Sequence, residues 1–145
     1  MANPYTDAVA AIEAAWLARW PAPAGVPVLF HSNTDFATPS RGDTAAWLHV
    51  SIEFDDERAV AFGSGPGLAE RELGGSVVVR VFGARGTGET VTLGLLDEAL
   101  GVFRGTRAGA LSFIGSMPLQ QPGASEDGAW WVRSGIAAFV FRFRG

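Results

Sequence analysis

The stretch "GGSVVVRVFGARGTGET", Gly74 to Thr90, decides the fold. Ser76 to Phe82 is a run of β-branched residues with no breaker, which suits a strand packed between neighbours, and so a central one. Gly83, Gly86 and Gly88 then end it. A helix follows over Thr90–Phe103, with Val91, Leu95, Ala99 and Val102 on one stripe and Leu96, Leu100 and Phe103 widening it.

Working outward, Ala46–Phe54 alternates strictly. Leu48, Val50, Ile52 and Phe54 share one face; Trp47, His49, Ser51 and Glu53 share the other. Asp55–Gly75 is mixed, with strand expected near Ala59–Phe62 and Ala69–Leu73. The segment "GSGPG" between them, carrying Gly63, Gly65 and Gly67, is expected to be mobile. Thr6–Trp20 reads as a first helix, capped by Thr6 or Asp7, with Val9, Ile12, Trp16 and Trp20 as its apolar stripe. Pro21, Pro23, Gly25 and Pro27 stop it. Val28–His31 is a short strand, and Ser32–Asp43 a turn-rich loop. Thr106–Pro118 and Trp130–Arg144 are two more strands, joined by a polar loop over Gln120–Gly128. The sum is a single domain over residues 1–145 with the order α-β-β-(β)-β-α-β-β, without an internal repeat or a domain linker.

The chain ends "AAFVFRFRG". Phe139, Phe141 and Phe143 fall on one face, which belongs against the helices. Val140, Arg142 and Arg144 fall on the other, which must meet water or a partner, because a buried unpaired guanidinium is too costly. Arg133 has the phase of Phe139, so either the environment changes along this strand or a bulge resets it.

Composition narrows function by subtraction. The 145 residues are 48% hydrophobic and 11% aromatic, with net charge −4. That is a globular chain without the basic face that broad nucleic-acid binding needs. Cysteine and lysine are absent. Thiolate metal sites, cysteine nucleophiles, Schiff bases and the phosphate-loop lysine go with them. The N-terminus lacks a signal pattern and no apolar run approaches a membrane span, so a cytosolic site of synthesis is expected.

The motifs that remain are weak. "GARGTGET" fits the phosphate-loop spacing except that Glu89 stands where the lysine belongs. A carboxylate there repels phosphate, so the segment reads as a glycine-rich turn with Thr87 as N-cap, and no nucleotide is expected. "EFDDE", Glu53–Glu57, has four carboxylates but no liganding turn, and reads as a solvated turn rather than a metal site. His31 and His49 have no zinc-hydrolase spacing. "RGD" at Arg41–Asp43 is too short to carry a claim. No catalytic, cofactor or metal residue is assigned. Two readings of another class stay open: a small-ligand-binding α+β module, and a hydrolase using His49 with a serine that the fold brings to it.

The order of elements and several landmarks resemble a phage protein family. The landmarks are "WLARWPAPAGVPV", the strand "WLHVSIEF" after a loop rich in Asn, Thr and Pro, "GGSVVVRVFGARGTGE", the helix "LLDEALGVFRG" and the alternating aromatic end, with Val77–Gly105 the strongest piece. Together they resemble the tail-terminator-like and minor tail proteins of long-tailed phages, prophages and related particles. The resemblance implies an α+β fold, a mostly antiparallel β-sheet with two α-helices packed on it, in a non-enzymatic virion protein. Such a protein forms a homo-oligomeric ring, a hexamer, that caps the tail tube, stops its polymerisation and joins it to the head connector. Its partners would be tail tube protein and head–tail connector protein, with no membrane and no sequence-specific nucleic acid. It would be found in the host cytoplasm during assembly and then in the virion tail. For the subunit interface, Arg142 and Arg144 are the cationic candidates. Glu53, Asp55 and Asp56 are possible partners for them within the chain or across the ring, and Gly63, Gly65 and Gly67 are docking-loop candidates.

Overall fold

A computed structural model of the chain describes residues 3–30, 46–61, 69–86, 89–118, 123–124, 128 and 130–144. Among these the order is α1 (Pro4–Arg19), β1 (Val28–Phe30), β2 (Ala46–Ala61), β3 (Glu70–Ala84), α2 (Glu89–Phe103), β4 (Arg107–Ala108), β5 (Leu111–Pro118), β6 (Gly123–Ala124) and β7 (Trp130–Arg144). The strand order is β1-β2-β3-β7-β5-β4, with β6 also on β7. β3 is therefore interior, as its valines predict. β1 lies parallel to β2 and every other pair is antiparallel, so the sheet is mixed rather than purely antiparallel.

Several expectations change. β2 runs unbroken from Ala46 to Ala61, joining the strands expected at Ala46–Phe54 and near Ala59–Phe62, and β3 runs from Glu70 to Ala84, joining those expected near Ala69–Leu73 and at Ser76–Phe82. The pairing absorbs an extra residue at Asp55, where Phe54 faces Gly75 but Asp56 faces Gly74. This bulge lets β2 continue with its faces exchanged. Charged residues on such a strand look turn-like in sequence, yet an exposed strand tolerates them. The expected strand at Thr106–Pro118 is broken by a turn at Gly109–Ala110 into β4 and β5. Gly123–Ala124, inside the expected polar loop, forms the short β6 on β7. Gly63, Gly65, Gly67, His31 and the Arg41–Asp43 tripeptide lie outside the described residues.

One face of the sheet is covered by the helices. Leu48 and Val50 of β2, Val77, Val79 and Val81 of β3, and Phe139 and Phe141 of β7 pack with Ile12 and Trp16 of α1 and Leu95, Leu96, Ala99, Leu100 and Phe103 of α2. Each Val, Leu, Ile and Phe among them contributes about 1.5–3 kcal/mol on burial. α2 comes close because Gly135 lies beneath it; a Cβ there would stand 2.9 Å from Leu100 Cδ1. Thr92, not Val91, is the buried residue at its start, and its hydroxyl donates to the Glu89 carbonyl at 3.0 Å. Asn3, not Thr6 or Asp7, caps α1, accepting from the Thr6 amide at 3.2 Å. Arg19 at the other end donates to Thr106, tying α1 to the turn after α2. Rings then fill the helix layer: Trp16 stacks on Trp20 at 4.6 Å, and Phe103 meets Phe113 at 4.7 Å.

The opposite face has its own aromatic group at one end. Trp47 stacks on Phe82 at 3.9 Å and meets Trp130 edge-on at 6.1 Å. No described helix is long and apolar enough to cross a membrane.

Candidate assembly interface

Register across the sheet lines up residues far apart in sequence. On the helix-free face, Arg58, Glu72 and Arg142 occupy one row over β2, β3 and β7. Glu72 accepts from Arg58 at 2.8 Å and from Arg142 at 3.4 Å. Its side chain is 9% exposed while both arginines are open to water. The hydrogen bond from Arg58, helped by Arg142, holds the Glu72 carboxyl below its ordinary range despite burial. The arrangement carries one net positive charge outward. Arg144, in the next row opposite Glu70, is exposed beside it.

The expected arginine end of β7 therefore faces away from the helices, and Arg142 takes an acid within the chain. That acid is Glu72, which the sequence did not mark out. Glu53 and Asp56 lie on the same face but in other rows, opposite Ser76 and Gly74, and are exposed. Asp55 is the exposed bulge residue. Beyond the bulge Glu57 turns to the helix side, where it accepts from the Tyr5 hydroxyl at 2.9 Å and from Arg71 at 3.4 Å. Its hydrogen bond raises the Tyr5 pKa. The bulge thus divides "EFDDE" between two faces, and among the described residues no acidic or histidine group is arranged to hold a metal ion.

Arg133 resolves the question of phase. The β3–β7 register runs without a shift from Glu70↔Arg144 to Ala84↔Trp130, so no bulge intervenes. Arg133 stays on the helix side and donates to Glu89 in the first turn of α2 at 2.6 Å. That bond holds the Glu89 carboxyl below its ordinary value. Glu89 is thus an acid at a helix start with a guanidinium partner. Thr87 lies outside the described residues. His49 is half-buried on the helix-free face, in register with Arg80, which donates to Ser51 at 3.5 Å.

The feature that sequence reasoning missed is the β5 edge. β4 covers β5 only at Leu111 and Ser112, so from Ile114 onward no described strand pairs with its outer side. The pairing of β5 with β7 shifts register between Phe113 and Gly115. Ile114 is 67% exposed and Met117 55%. A cavity of about 220 Å³, lined by Gly115, Ser116, Met117, Ile136 and Ala138, opens on one side of this edge. A second of about 300 Å³, lined by Phe103, Arg104, Phe113 and Ile114 among others, opens on the helix side. An unpaired, apolar strand edge is a template for another strand. The one sequence signal was Gly115 inside the strand LSFIGSMP, since an interior glycine marks a bulge.

No family model and no curated protein matches the chain. Chains of solved structure do match. One, which has only a sequence identifier for a name, aligns over 95% of this chain and 96% of its own length, with a TM-score of 0.63 and 18% identity. At that identity the likeness shows the fold alone: a two-helix, mixed-sheet α+β domain matched almost end to end.

Proposed function

We propose that the protein is a ring-forming structural subunit of a long-tailed phage or related particle, a tail terminator that caps the tail tube and joins it to the head connector. The observation that carries this reading is the β5 edge, where Ile114 and Met117 stand in water on a stretch whose outer side no described strand pairs. Apolar side chains on an open edge are a liability in a free monomer and an asset in an assembly. The sequence resemblance over Val77–Gly105 supplies the kind of assembly. The exposed guanidinium groups of Arg142 and Arg144 supply a second contact surface, since arginine is enriched where proteins dock.

Light scattering on the free protein at several concentrations, and again with tail tube added, tests this. A species near six times the 15.2 kDa chain mass that binds tube ends and halts tube growth is expected. A strict monomer that never binds tube ends overturns it.

A further inference from the structure

Among the described residues the sheet has two open edges, and they match. On β2, β1 covers residues 48–50, and from Ser51 onward no described strand pairs with the outer side. On β5 the open stretch starts at Ile114. Register places the two at the same height. Ser51, Val78, Ile136 and Met117 form one row, and Glu53, Ser76, Ala138 and Gly115 the next. One row further, Asp56, Gly74, Val140, Ser112 and Arg107 line up from β2 to β4. An exposed carboxylate thus ends that row on one side of the molecule, and an exposed guanidinium ends it on the other.

Direction agrees as well. β2 is antiparallel to β3, β3 to β7 and β7 to β5, so β2 and β5 run opposite ways. If a second copy continues the sheet in the same orientation, its β2 meets the first copy's β5 antiparallel, the stronger pairing. We infer that the occupant of the β5 edge is the β2 edge of a second copy of this chain. Residues 114–118 of one copy take Ser51–Phe54 of the next, and Arg107 meets Asp56. The bulge at Asp55 turns β2 just where it must pass β4. Half-buried Ile52 and Phe54 arrive on the helix side, next to the cavity lined by Phe103 and Phe113. Such a contact uses different surfaces on the two partners, and a heterologous contact closes into a ring when its rotation allows. The inference rests on the ring reading above and names the edges that build the ring.

The experiment uses the full chain carrying Arg107→Glu or Asp56→Arg, each at an exposed position. Sedimentation velocity is run on the native protein, on each variant alone and on their equimolar mixture, with tail tube added if the native protein needs it. Each variant alone places like charges at every junction and is expected to assemble about tenfold more weakly or worse. In the mixture every junction between unlike variants regains opposite charges, and assembly is expected to return, which also shows that both variants are folded. If Asp56→Arg alone assembles like the native protein, the contact is elsewhere or pairs β5 with β5, and the inference is overturned. No recovery in the mixture overturns it too. In both cases native assembly leaves the ring reading standing, whereas a native protein that never assembles removes both.

Discussion

Along β7, Phe139 and Phe141 are sealed against the helices, while Arg142 and Arg144 on the same strand stand in water. The two faces are held by different physics. On the helix side, shape decides. Phe139 is 1% exposed and its ring covers Gly75, where a Cβ would come within 2.7 Å of the ring and 2.3 Å of the Glu53 carbonyl. Phe54 and Phe113 close on the same ring edge-on, at 6.1 and 6.2 Å. On the other side, charge decides, through two arginines sharing one carboxylate. Close-packed contacts lose energy steeply when an atom is removed or added, whereas solvated ion pairs lose little. Substitutions on the two faces should therefore differ in size and in what they disturb.

The largest effect is expected from Phe139→Ala, at about 3–5 kcal/mol of unfolding free energy in urea titration, the range for truncating a buried aromatic. A loss below about 1 kcal/mol would mean that the helix side is not the packed one. Gly75→Ala comes next, at about 1–3 kcal/mol, because the added methyl meets backbone as well as the ring and neither can retreat. Thermal unfolding of Gly75→Ala beside Gly74→Ala sharpens this, since the atom nearest a Cβ at Gly74 is the end of the exposed Asp56 side chain.

On the charged face, Glu72→Gln is expected to cost about 1–2 kcal/mol at neutral pH, because both lost partners can return to water. Its signature is pH dependence. The folded-state carboxyl lies below its ordinary value, so its stabilisation is complete above the ordinary carboxylate range and fades as pH falls through the folded pKa. Urea midpoints from about pH 7 to about pH 3 should show the native protein's advantage over Glu72→Gln shrinking with acid. A constant gap would mean that the ion pairs are not what the residue supplies. The smallest change in stability, within about 0.5 kcal/mol, is expected for Arg142→Ala with Arg144→Ala. That variant should instead weaken assembly, most at low salt, where charge pairing is least screened. If it unfolds while Phe139→Ala does not, the two faces have been assigned the wrong way round.

The helix-side face was legible in sequence wherever period holds. Trp130–Arg144 was read at the bounds the strand has, and the alternation from Leu48 to Phe54 marked its inward residues. Reading stopped where period stops. At Asp55 the strand continues but its parity changes, so four carboxylates looked like a turn. Glu72 could not be matched to Arg142 because they are 70 residues apart and meet only through strand order. The open β5 edge was hidden for the same reason: exposure of an edge depends on which strand lies last, and local pattern carries no strand order. Val91 kept the stripe's spacing but lies in the first turn of α2 and is exposed, and Thr92 took the buried place.

The register shift at Asp55 also marks where β2 can change length. Phe54 faces Gly75 and Asp56 faces Gly74, so Asp55 faces no residue of β3. Without it the ladder would run on regularly from Phe54 to Asp56, with Arg58 still in the Glu72 row and Glu57 still on the Tyr5 side. Loss of a residue from the regularly paired stretch Leu48–Ile52 would instead send the side chains on one side of the gap to the opposite face, with no residue type altered. Homologous chains should therefore lose a residue at Asp55 far more readily than at the paired positions before it.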